Sequence, residues 1–334
     1  MRIIENFDLA PLTTFHLPAQ ARWYGEYSSF PELKSILNDP RFFSLKWFHM
    51  GSGSNLLFTS DFDGLVLHSA MKGLEIKDDD GTTVKVEVES GVVWDDFVRW
   101  TIDHDLYGAE NLAIIPGEVG ASAVQNIGAY GVEVKDIIFE VTTYDTLKEE
   151  IAIFSNKQCQ YAYRDSFFKH CASRYIVLSV TFALSRTPHF SLEYGPLKQL
   201  KEKDSLTLKE VYDTIVDIRN SKLPNPDKIG SAGSFFKNPV VNKAKFDGLE
   251  ATYPGIPHYE VGKLYKIPAG WLIENAGLKG LSVGKAQVYP KQCLVLVNNG
   301  GATAKDVLQL YQHVVNVVDK KYGIRLSPEV NIIR

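Results

Sequence analysis

Cysteine and histidine are scarce in this chain, and their spacing does not suggest metal ligands. The 334 residues include only three cysteines, Cys159, Cys171 and Cys293, and no pair has CxxC spacing. The eight histidines form no HxxxH or HExxH pair. These absences argue against a disulfide framework and against a zinc site. No bound metal is therefore expected.

An excess of positive charge and a long hydrophobic run are also lacking. The net charge of −4 argues against broad nucleic-acid binding but leaves room for a local basic pocket. The longest apolar run, around residues 175–184, contains Ser and Thr and is too short to span a bilayer. The first residues show no apolar signal-peptide region. We therefore expect a cytoplasmic protein with no nucleic-acid partner and no membrane insertion.

Glycine is abundant in one apolar stretch, residues 111–134, which we call the glycine segment. It contains Gly117, Gly120, Gly128 and Gly131 and almost no charge. The segment is too rich in glycine for a plain helix or strand and too apolar for a flexible linker. A buried loop whose N–H groups hold the phosphate of a cofactor fits it. A glycine-rich turn between core strands fits the residues equally well.

A second small-residue turn, residues 51–55, lies between predicted strands at 45–50 and 56–58. Its small side chains would let a phosphate approach the backbone, and its serines add hydroxyl donors. It has no Gly-Lys-Ser/Thr and no helix is predicted after it, so it is neither a Walker loop nor a dinucleotide fingerprint. A plain β-turn remains the alternative.

Three further positions carry possible chemistry, and each has a structural alternative. Arg164 precedes Asp165 among aromatic residues, which is also typical of a solvated ion pair. Ser234 follows Gly233 and could carry a proton, but a tight turn would explain the same residues. Glu329 lies in a predicted terminal strand, where a glutamate is usually solvated. Beyond residue 222, two nearby prolines predict a domain boundary.

Apolar periodicity and capping residues predict a mixture of helices and strands. The predicted helices are residues 29–37, 94–104, 207–219, 268–276 and 303–321. The predicted strands are residues 45–50, 56–58, 64–68, 73–77, 82–88, 137–144, 150–154, 174–184, 292–297 and 324–334.

Taken in order from Thr14 to Glu329, these motifs resemble the UDP-N-acetylenolpyruvoylglucosamine reductases, the MurB flavoenzymes of bacterial cell-wall synthesis. Residues 192–195 resemble the subclass with a mobile tyrosine loop, type I. The resemblance implies an α+β chain: an FAD-binding fold of the vanillyl-alcohol-oxidase (PCMH) type in two subdomains, and a C-terminal α+β substrate domain. The implied limits are 1–70 and 71–222 for the subdomains and 223–322 for the substrate domain. The tail, 323–334, would return to the flavin-binding part.

The resemblance also implies the reaction. UDP-N-acetylglucosamine enolpyruvate would be reduced to UDP-N-acetylmuramate with NADPH and FAD, in peptidoglycan synthesis. Hydride would reach C3 of the enolpyruvyl group, and Ser234 would give a proton to C2. Arg164 would stabilise the negative charge that develops on the substrate carboxylate, and Glu329 would act at the same place. A monomer is expected. Another FAD-dependent oxidase or dehydrogenase of this fold, and a non-enzymatic nucleotide-binding module, are the alternatives.

The family's binding residues match positions of this chain. Those implied for FAD are Gly51, Ser52, Gly53, Ser54, Asn55, Pro116, Gly117, Gly120, Ala121, Ser122, Asn126, Gly128, Ala129, Gly131 and Arg219. Those implied for the substrate are Tyr163, Tyr194, Lys222, Gly233 and Asn238. One departure is Asn331, near which many relatives carry an arginine, so one basic flavin contact is expected to be missing. Arg219 is the candidate to supply that charge.

Overall fold

A computed structural model describes residues 1–171 and 173–334, and its chain divides into two compact units. The first unit comprises Met1–Phe7, Ala21–Ser52 and Phe62–Ser221. The second comprises Asp8–Gln20, Gly53–Asp61 and Lys222–Arg334. The finer three-part division of the chain stays a prediction.

The elements are numbered in chain order. The strands are β1 (Arg2–Asp8), β2 (Gln20–Tyr27), β3 (Trp47–Met50), β4 (Leu56–Phe58), β5 (Phe62–Ser69), β6 (Leu74–Asp79), β7 (Thr83–Glu89), β8 (Gly128–Ala129), β9 (Val132–Glu133), β10 (Ile138–Asp145), β11 (Glu150–Ser155), β12 (Tyr175–Ser185), β13 (Gly230–Ser234), β14 (Val240–Asn242), β15 (Tyr259–Val261), β16 (Leu264–Lys266), β17 (Ser282–Val283), β18 (Ala286–Val288), β19 (Val295–Asn298) and β20 (Asn331–Ile333). The α-helices are α1 (Phe30–Leu37), α2 (Trp94–Asp103), α3 (Val119–Gln125), α4 (Phe167–His170), α5 (Leu208–Lys222), α6 (Lys243–Thr252), α7 (Ala269–Asn275) and α8 (Ala304–Tyr322).

Two sheets organise the first unit. The first has the strand order β1-β2-β5-β3, and β5 runs parallel to both β2 and β3. The second is antiparallel, with the order β11-β10-β12-β7-β6. Strand β12 is buried along nearly its full length, as expected for a central strand covered on both faces.

Buried aromatic side chains dominate the larger core of the first unit. Trp94 and Phe97 from α2 pack against Phe182 of β12, with ring centroids 4.6–5.9 Å apart. Glycine-segment residues such as Val119 and Ala123 belong to the same core. A second core joins Tyr27 and Leu65 of the first sheet to Ile176 of the second. Because the glycine segment is part of a packed core, its backbone is held in place rather than exposed as a linker.

The second unit is built on a four-stranded sheet, β13-β19-β18-β17, and a three-stranded sheet, β14-β16-β15. Helix α8 packs its apolar side on this unit, where Val307, Leu310, Val314 and Val318 are fully buried. As predicted, α8 begins with a capping box, in which Thr303 and Asp306 each accept a hydrogen bond from the other's backbone N–H.

The C-terminal tail differs from the prediction of one strand over residues 324–334. Only β20 is a strand, and it pairs in parallel with β4, with Asn331 opposite Leu56. The residues before it pair instead with residues 235–237. Phe236 and Pro328 form an isolated β-bridge, Lys237 N donates to Ser327 O, and Glu329 N donates to Phe235 O. Pro328 lacks an N–H, so a regular ladder through this region is interrupted.

No helix in the described part of the chain is long and apolar enough to cross a membrane. Within residues 1–171 and 173–334, Cys159, Cys171 and Cys293 are all free thiols, and no cluster of three or more His, Cys, Asp or Glu side chains could hold a metal ion.

Candidate active site

The glycine segment is not the continuous loop that its composition predicts, because helix α3 occupies its centre. The helix tolerates Gly120 for a packing reason: a Cβ there would lie 2.7 Å from the Cβ of Ser90. The Gly120 N–H also donates to Ser90 O at 2.9 Å. Close approach of the helix to Ser90 therefore requires glycine, and its alanine, serine and valine neighbours still support a helical turn.

Left-handed backbone conformations cluster around this helix. Ile114, Asn126 and Tyr130 have φ values of 45°, 50° and 48°, and Arg164 has a φ of 55°. This conformation is uncommon for residues other than glycine, and it is a genuine outlier for β-branched Ile114. Backbone strain of this kind persists only where surrounding contacts enforce it, and it concentrates at functional sites.

Asn126 ends α3 and ties the glycine segment to the turn that carries Arg164. Its side-chain Nδ2 donates to Ala162 O at 2.8 Å, and its Oδ1 accepts from Lys135 N at 3.2 Å. The residue is fully buried. A side chain bonded on both sides in this way fixes the two segments relative to each other within the first unit.

Arg164 lies against the backbone of the glycine segment. Its Nη1 donates to Asn126 O at 3.3 Å, its Nη2 donates to Gly128 O, and Nη1 lies 4.0 Å from Glu133 Oε1. The side chain is only 15% exposed. The alternative of a solvated side chain is therefore wrong for Arg164. Its neighbour Asp165 is bonded to His170, with Oδ2 3.0 Å from Nε2.

Tyr194 and Arg219 both neighbour Tyr130 in the first unit. The ring of Tyr194, which is 37% exposed, stands edge-on to the ring of Tyr130 at a centroid distance of 5.7 Å. Burial lowers the pKa of Arg219, although interaction with the Tyr130 hydroxyl opposes that shift. Burial also raises the pKa of Tyr130. Tyr163 lies beside the Arg164 guanidinium, whose carbon is 5.1 Å from its ring centroid.

The turn at residues 51–55 contributes to both units, since Gly51 and Ser52 belong to the first and Gly53, Ser54 and Asn55 to the second. In the second unit, Asn55 O accepts from Asn331 N at 3.0 Å, and Asn55 Nδ2 donates to Glu329 O at 3.3 Å. The turn is thus held by the tail. Asn331 stands where many relatives are expected to carry a basic flavin contact. Its backbone N–H is the donor of this bond to Asn55 O.

The second unit brings Ser234 and Glu329 close along the backbone. Ser234 ends β13 opposite Val295, and the next residue, Phe235, accepts the hydrogen bond from Glu329 N at 2.8 Å. Gly233 before it has a φ of 69°, a conformation that favours glycine. Asn238 Oδ1 accepts from Ala269 N at 2.9 Å, at the start of α7. Lys222 is exposed at the end of α5.

Comparison with known proteins places these residues in a family. Residues 225–333 match the C-terminal domain of UDP-N-acetylenolpyruvoylglucosamine reductase (MurB), and residues 27–150 match an FAD binding domain. A UDP-N-acetylenolpyruvoylglucosamine reductase of Bacteroides fragilis is 45% identical over 98% of this chain and 99% of its own length. One from Porphyromonas gingivalis is 44% identical over 100% of both chains. The chain belongs to the UDP-N-acetylenolpyruvoylglucosamine reductase family.

The solved structures confirm the predicted fold class. The crystal structure of a MurB reductase from Thermus caldophilus superposes with a TM-score of 0.69, at 24% sequence identity, and covers 100% of both chains. Together with the FAD-binding match, this shows the α+β architecture predicted from the motifs. As a member of the MurB family, the chain is an FAD-dependent oxidoreductase.

Unsatisfied polar atoms in the first unit fit a bound FAD. Among the described residues, both amide atoms of Gln125, Oδ1 of Asn111 and Nε of Arg219 are buried without a hydrogen-bond partner. Such atoms normally bind water or a ligand. Gln125 and Asn111 belong to the glycine segment but are not among the residues predicted from the motifs. Nothing in the local sequence distinguishes them, because their burial results from packing with distant segments.

Gly53 offers a test of the turn at residues 51–55, with a matched control at Gly262. Both have φ near +60°, but a Cβ at Gly53 would lie 2.2 Å from Leu12 O, whereas one at Gly262 would meet nothing within 4 Å. We expect Gly262→Ala to cost about 1–2 kcal/mol of unfolding free energy for the left-handed backbone. Gly53→Ala should cost about 1–3 kcal/mol more because of overlap, and should release FAD.

Thermal unfolding and the flavin absorbance per mole of purified protein would measure both variants. Full flavin content in Gly53→Ala would show that this turn does not hold the cofactor. Equal destabilisation by the two substitutions would show that the Leu12 contact relaxes without cost.

Proposed function

We propose that this chain reduces UDP-N-acetylglucosamine enolpyruvate to UDP-N-acetylmuramate in peptidoglycan synthesis, with NADPH as the source of electrons. The near-complete match to reductases bearing that activity in their name carries the proposal. When bound, FAD supplies the hydride for C3 of the enolpyruvyl group.

Arg164 is proposed to bind the carboxylate of the enolpyruvyl group. Negative charge spreads onto that carboxylate as C3 receives hydride, and a fixed positive charge there lowers the barrier. Support comes from the bonds to Asn126 O and Gly128 O, which orient the guanidinium before any substrate arrives. A planar guanidinium also matches the two carboxylate oxygens better than an ammonium does.

Ser234 is proposed to give its Oγ proton to C2, and Glu329 is proposed to act beside it. A serine hydroxyl is a poor acid in water, so its competence depends on position and on the charge that it faces. Support comes from the hydrogen bond that Glu329 N donates to Phe235 O. Phe235 directly follows Ser234, so this bond holds the backbone of the tail glutamate near that of the serine. Glu329 is proposed to act at the substrate carboxylate, either as a neutral acid or by orienting Arg164 or a water.

The UDP part of the substrate is proposed to contact Tyr163, Tyr194, Lys222, Gly233 and Asn238. Lys222 is a compact point charge suited to a diphosphate, and exposed Tyr194 offers a hydroxyl from a segment that starts a 3-10 helix. Asn238 has its Oδ1 occupied by Ala269 N. An amide side chain can donate to phosphate oxygens through its nitrogen.

The FAD contacts are proposed to be the two glycine-rich stretches predicted from the sequence, residues 51–55 and 116–131, with Arg219. Support comes from the buried, unpartnered Nε of Arg219 and amide of Gln125. The guanidinium of Arg219 is largely buried, and an anionic ligand beside it would stabilise its positive charge.

Purified protein should be yellow, and it should oxidise NADPH rapidly only when UDP-N-acetylglucosamine enolpyruvate is added. Stopped-flow absorbance of the flavin would separate reduction by NADPH from reoxidation by the sugar. A colourless protein that takes up no added FAD would refute the assignment. NADPH oxidation that ignores the sugar would instead favour another FAD-dependent oxidase or dehydrogenase of this fold.

We also propose a cytoplasmic monomer, which size-exclusion chromatography and cell fractionation would test.

A further inference from the structure

A histidine of the first unit lies between two carboxylates, outside the residues assigned to the reaction. His68 on β5 has its Nδ1 3.3 Å from Glu26 Oε2 and its Nε2 3.0 Å from Glu118 Oε1. A neutral imidazole carries one N–H and could satisfy only one of these acceptors. Because both ring nitrogens face carboxylate oxygens, the geometry favours the doubly protonated imidazolium.

Glu118 connects this histidine to the two stretches proposed to hold FAD. It immediately precedes α3, its side chain is only 6% exposed, and its carboxylate does not cap its own helix. A Cβ built on Gly51 would lie 3.1 Å from Glu118 Oε2 and 3.2 Å from the Cβ of Ala121. Gly51 therefore packs directly on the carboxylate that His68 binds.

The strand register explains why these groups meet. In the first sheet, β5 places His68 beside Glu26 of β2 on one side and beside Met50 of β3 on the other. Met50 is the last residue before the turn at Gly51. The histidine is consequently anchored in the sheet one residue from the start of that turn.

We propose that His68 is a positioning residue for FAD: its imidazolium holds the Glu118 carboxylate against Gly51 and neutralises one negative charge between the two proposed cofactor stretches. The proposal rests on the proposed assignment of those stretches to FAD. FAD carries a negatively charged diphosphate, so an uncompensated carboxylate in the loops that bind it would oppose binding.

The charged and titratable groups around His68 agree with this role. Tyr24 on β2 donates its hydroxyl to Glu26 at 2.9 Å and lies 3.2 Å from His68 Nδ1. On β3, burial and then the charge of His68 lower the pKa of His49 to about 3. His49 is thus neutral, and its Nε2 contacts the Tyr27 hydroxyl at 2.8 Å. The positive charge in this cluster belongs to His68.

The direction of the pH effect follows from the pKa of His68. Burial lowers that pKa, but bonds to Glu118 and then Glu26 raise it more, so it lies above its ordinary value. The imidazolium is then lost as pH rises through the raised pKa. FAD affinity that depends on this charge should fall in the same pH range and should not fall at lower pH.

The experiment measures FAD release from the diluted holoenzyme by flavin fluorescence, between about pH 6 and about pH 9. The wild-type dissociation constant should rise about tenfold across this range, which corresponds to one pKa unit of coupling. His68→Gln should bind FAD about tenfold more weakly at the low end and lose the pH dependence. Glu118→Gln should also lose the pH dependence, and adding it to His68→Gln should restore affinity because no unpaired carboxylate remains beside Gly51.

His313→Gln, at an exposed position on α8, is the matched control and should keep the wild-type pH profile. Thermal unfolding of each apo-protein would report any general loss of folding. A pH profile of FAD release that is unchanged in His68→Gln would overturn the proposal, as would additive losses in the double variant. If no variant, nor the wild type, binds FAD, the proposed function fails rather than the role of His68 alone.

Discussion

Replacing Ser234 by alanine should leave flavin reduction by NADPH near its normal rate and slow turnover of the enolpyruvyl sugar by about 10²–10⁴-fold. The reason is that only the second half-reaction needs a proton at C2, and Ser234 Oγ is its proposed source. The substitution removes one hydroxyl from a residue whose backbone pairs with Val295 in the sheet, so the fold should persist. Single-turnover flavin absorbance would measure the two half-reactions separately.

Ser282→Ala is a suitable control for this result. Ser282 is exposed on β17 of the same unit, and its replacement should leave both half-reactions unchanged. Equal slowing of both half-reactions in Ser234→Ala would mean that the serine supports the structure. An unaltered rate of sugar reduction would exclude it as the proton donor.

Arg164→Lys should lower kcat for the enolpyruvyl sugar by about 10²–10³-fold, the usual effect of losing one preorganised charge-stabilising group. Lysine retains the charge but lacks the planar fork, so it cannot bond the Asn126 and Gly128 carbonyls while also presenting two donors to a carboxylate. Flavin content should remain normal. Steady-state kinetics with varied sugar and NADPH would give the split between kcat and KM.

The comparison variant is Arg186→Lys. Arg186 makes a forked pair with Asp79 on the first unit, through Nε and Nη2, and the same change of cation there should leave kcat unaltered. Loss of FAD from Arg164→Lys would contradict the assignment, since the arginine would then be needed to hold the glycine segment in place. A change in KM alone would indicate binding without stabilisation of the developing charge.

Helix ends marked by capping residues were predictable from the sequence. Thr207 and Glu210 form the predicted reciprocal bonds at the start of α5, and Ser29 accepts from Glu32 N at the start of α1. These signals are local, so a short sequence window contains them. Helix α6 was not predicted, because Gly248 interrupts it and because its Asn242 cap lacks an acidic partner three residues later.

The candidate site was predictable only as a set of residue types. Motif order identified Arg164, Ser234 and Glu329, and their roles stay predictions. The contacts around them join residues far apart in the chain: Arg164 bonds Gly128, 36 positions away, and Asn55 bonds Glu329, 274 positions away. Such pairings depend on how strands meet in the tertiary fold. The buried amide of Gln125 and the His68 cluster arise in the same way.

The pairing of β20 with β4 sets an order for folding during synthesis. In the described chain, β4 has β20 as its only strand partner. Between Phe58, the last residue of β4, and Asn331, the first residue of β20, lie 272 residues. The chain is synthesised from the N-terminus onward, so the ladder between β4 and β20 can form only after nearly the whole chain has been made. The first unit, by contrast, is complete by Ser221. Long-range closure therefore makes the second unit the later of the two to complete its fold.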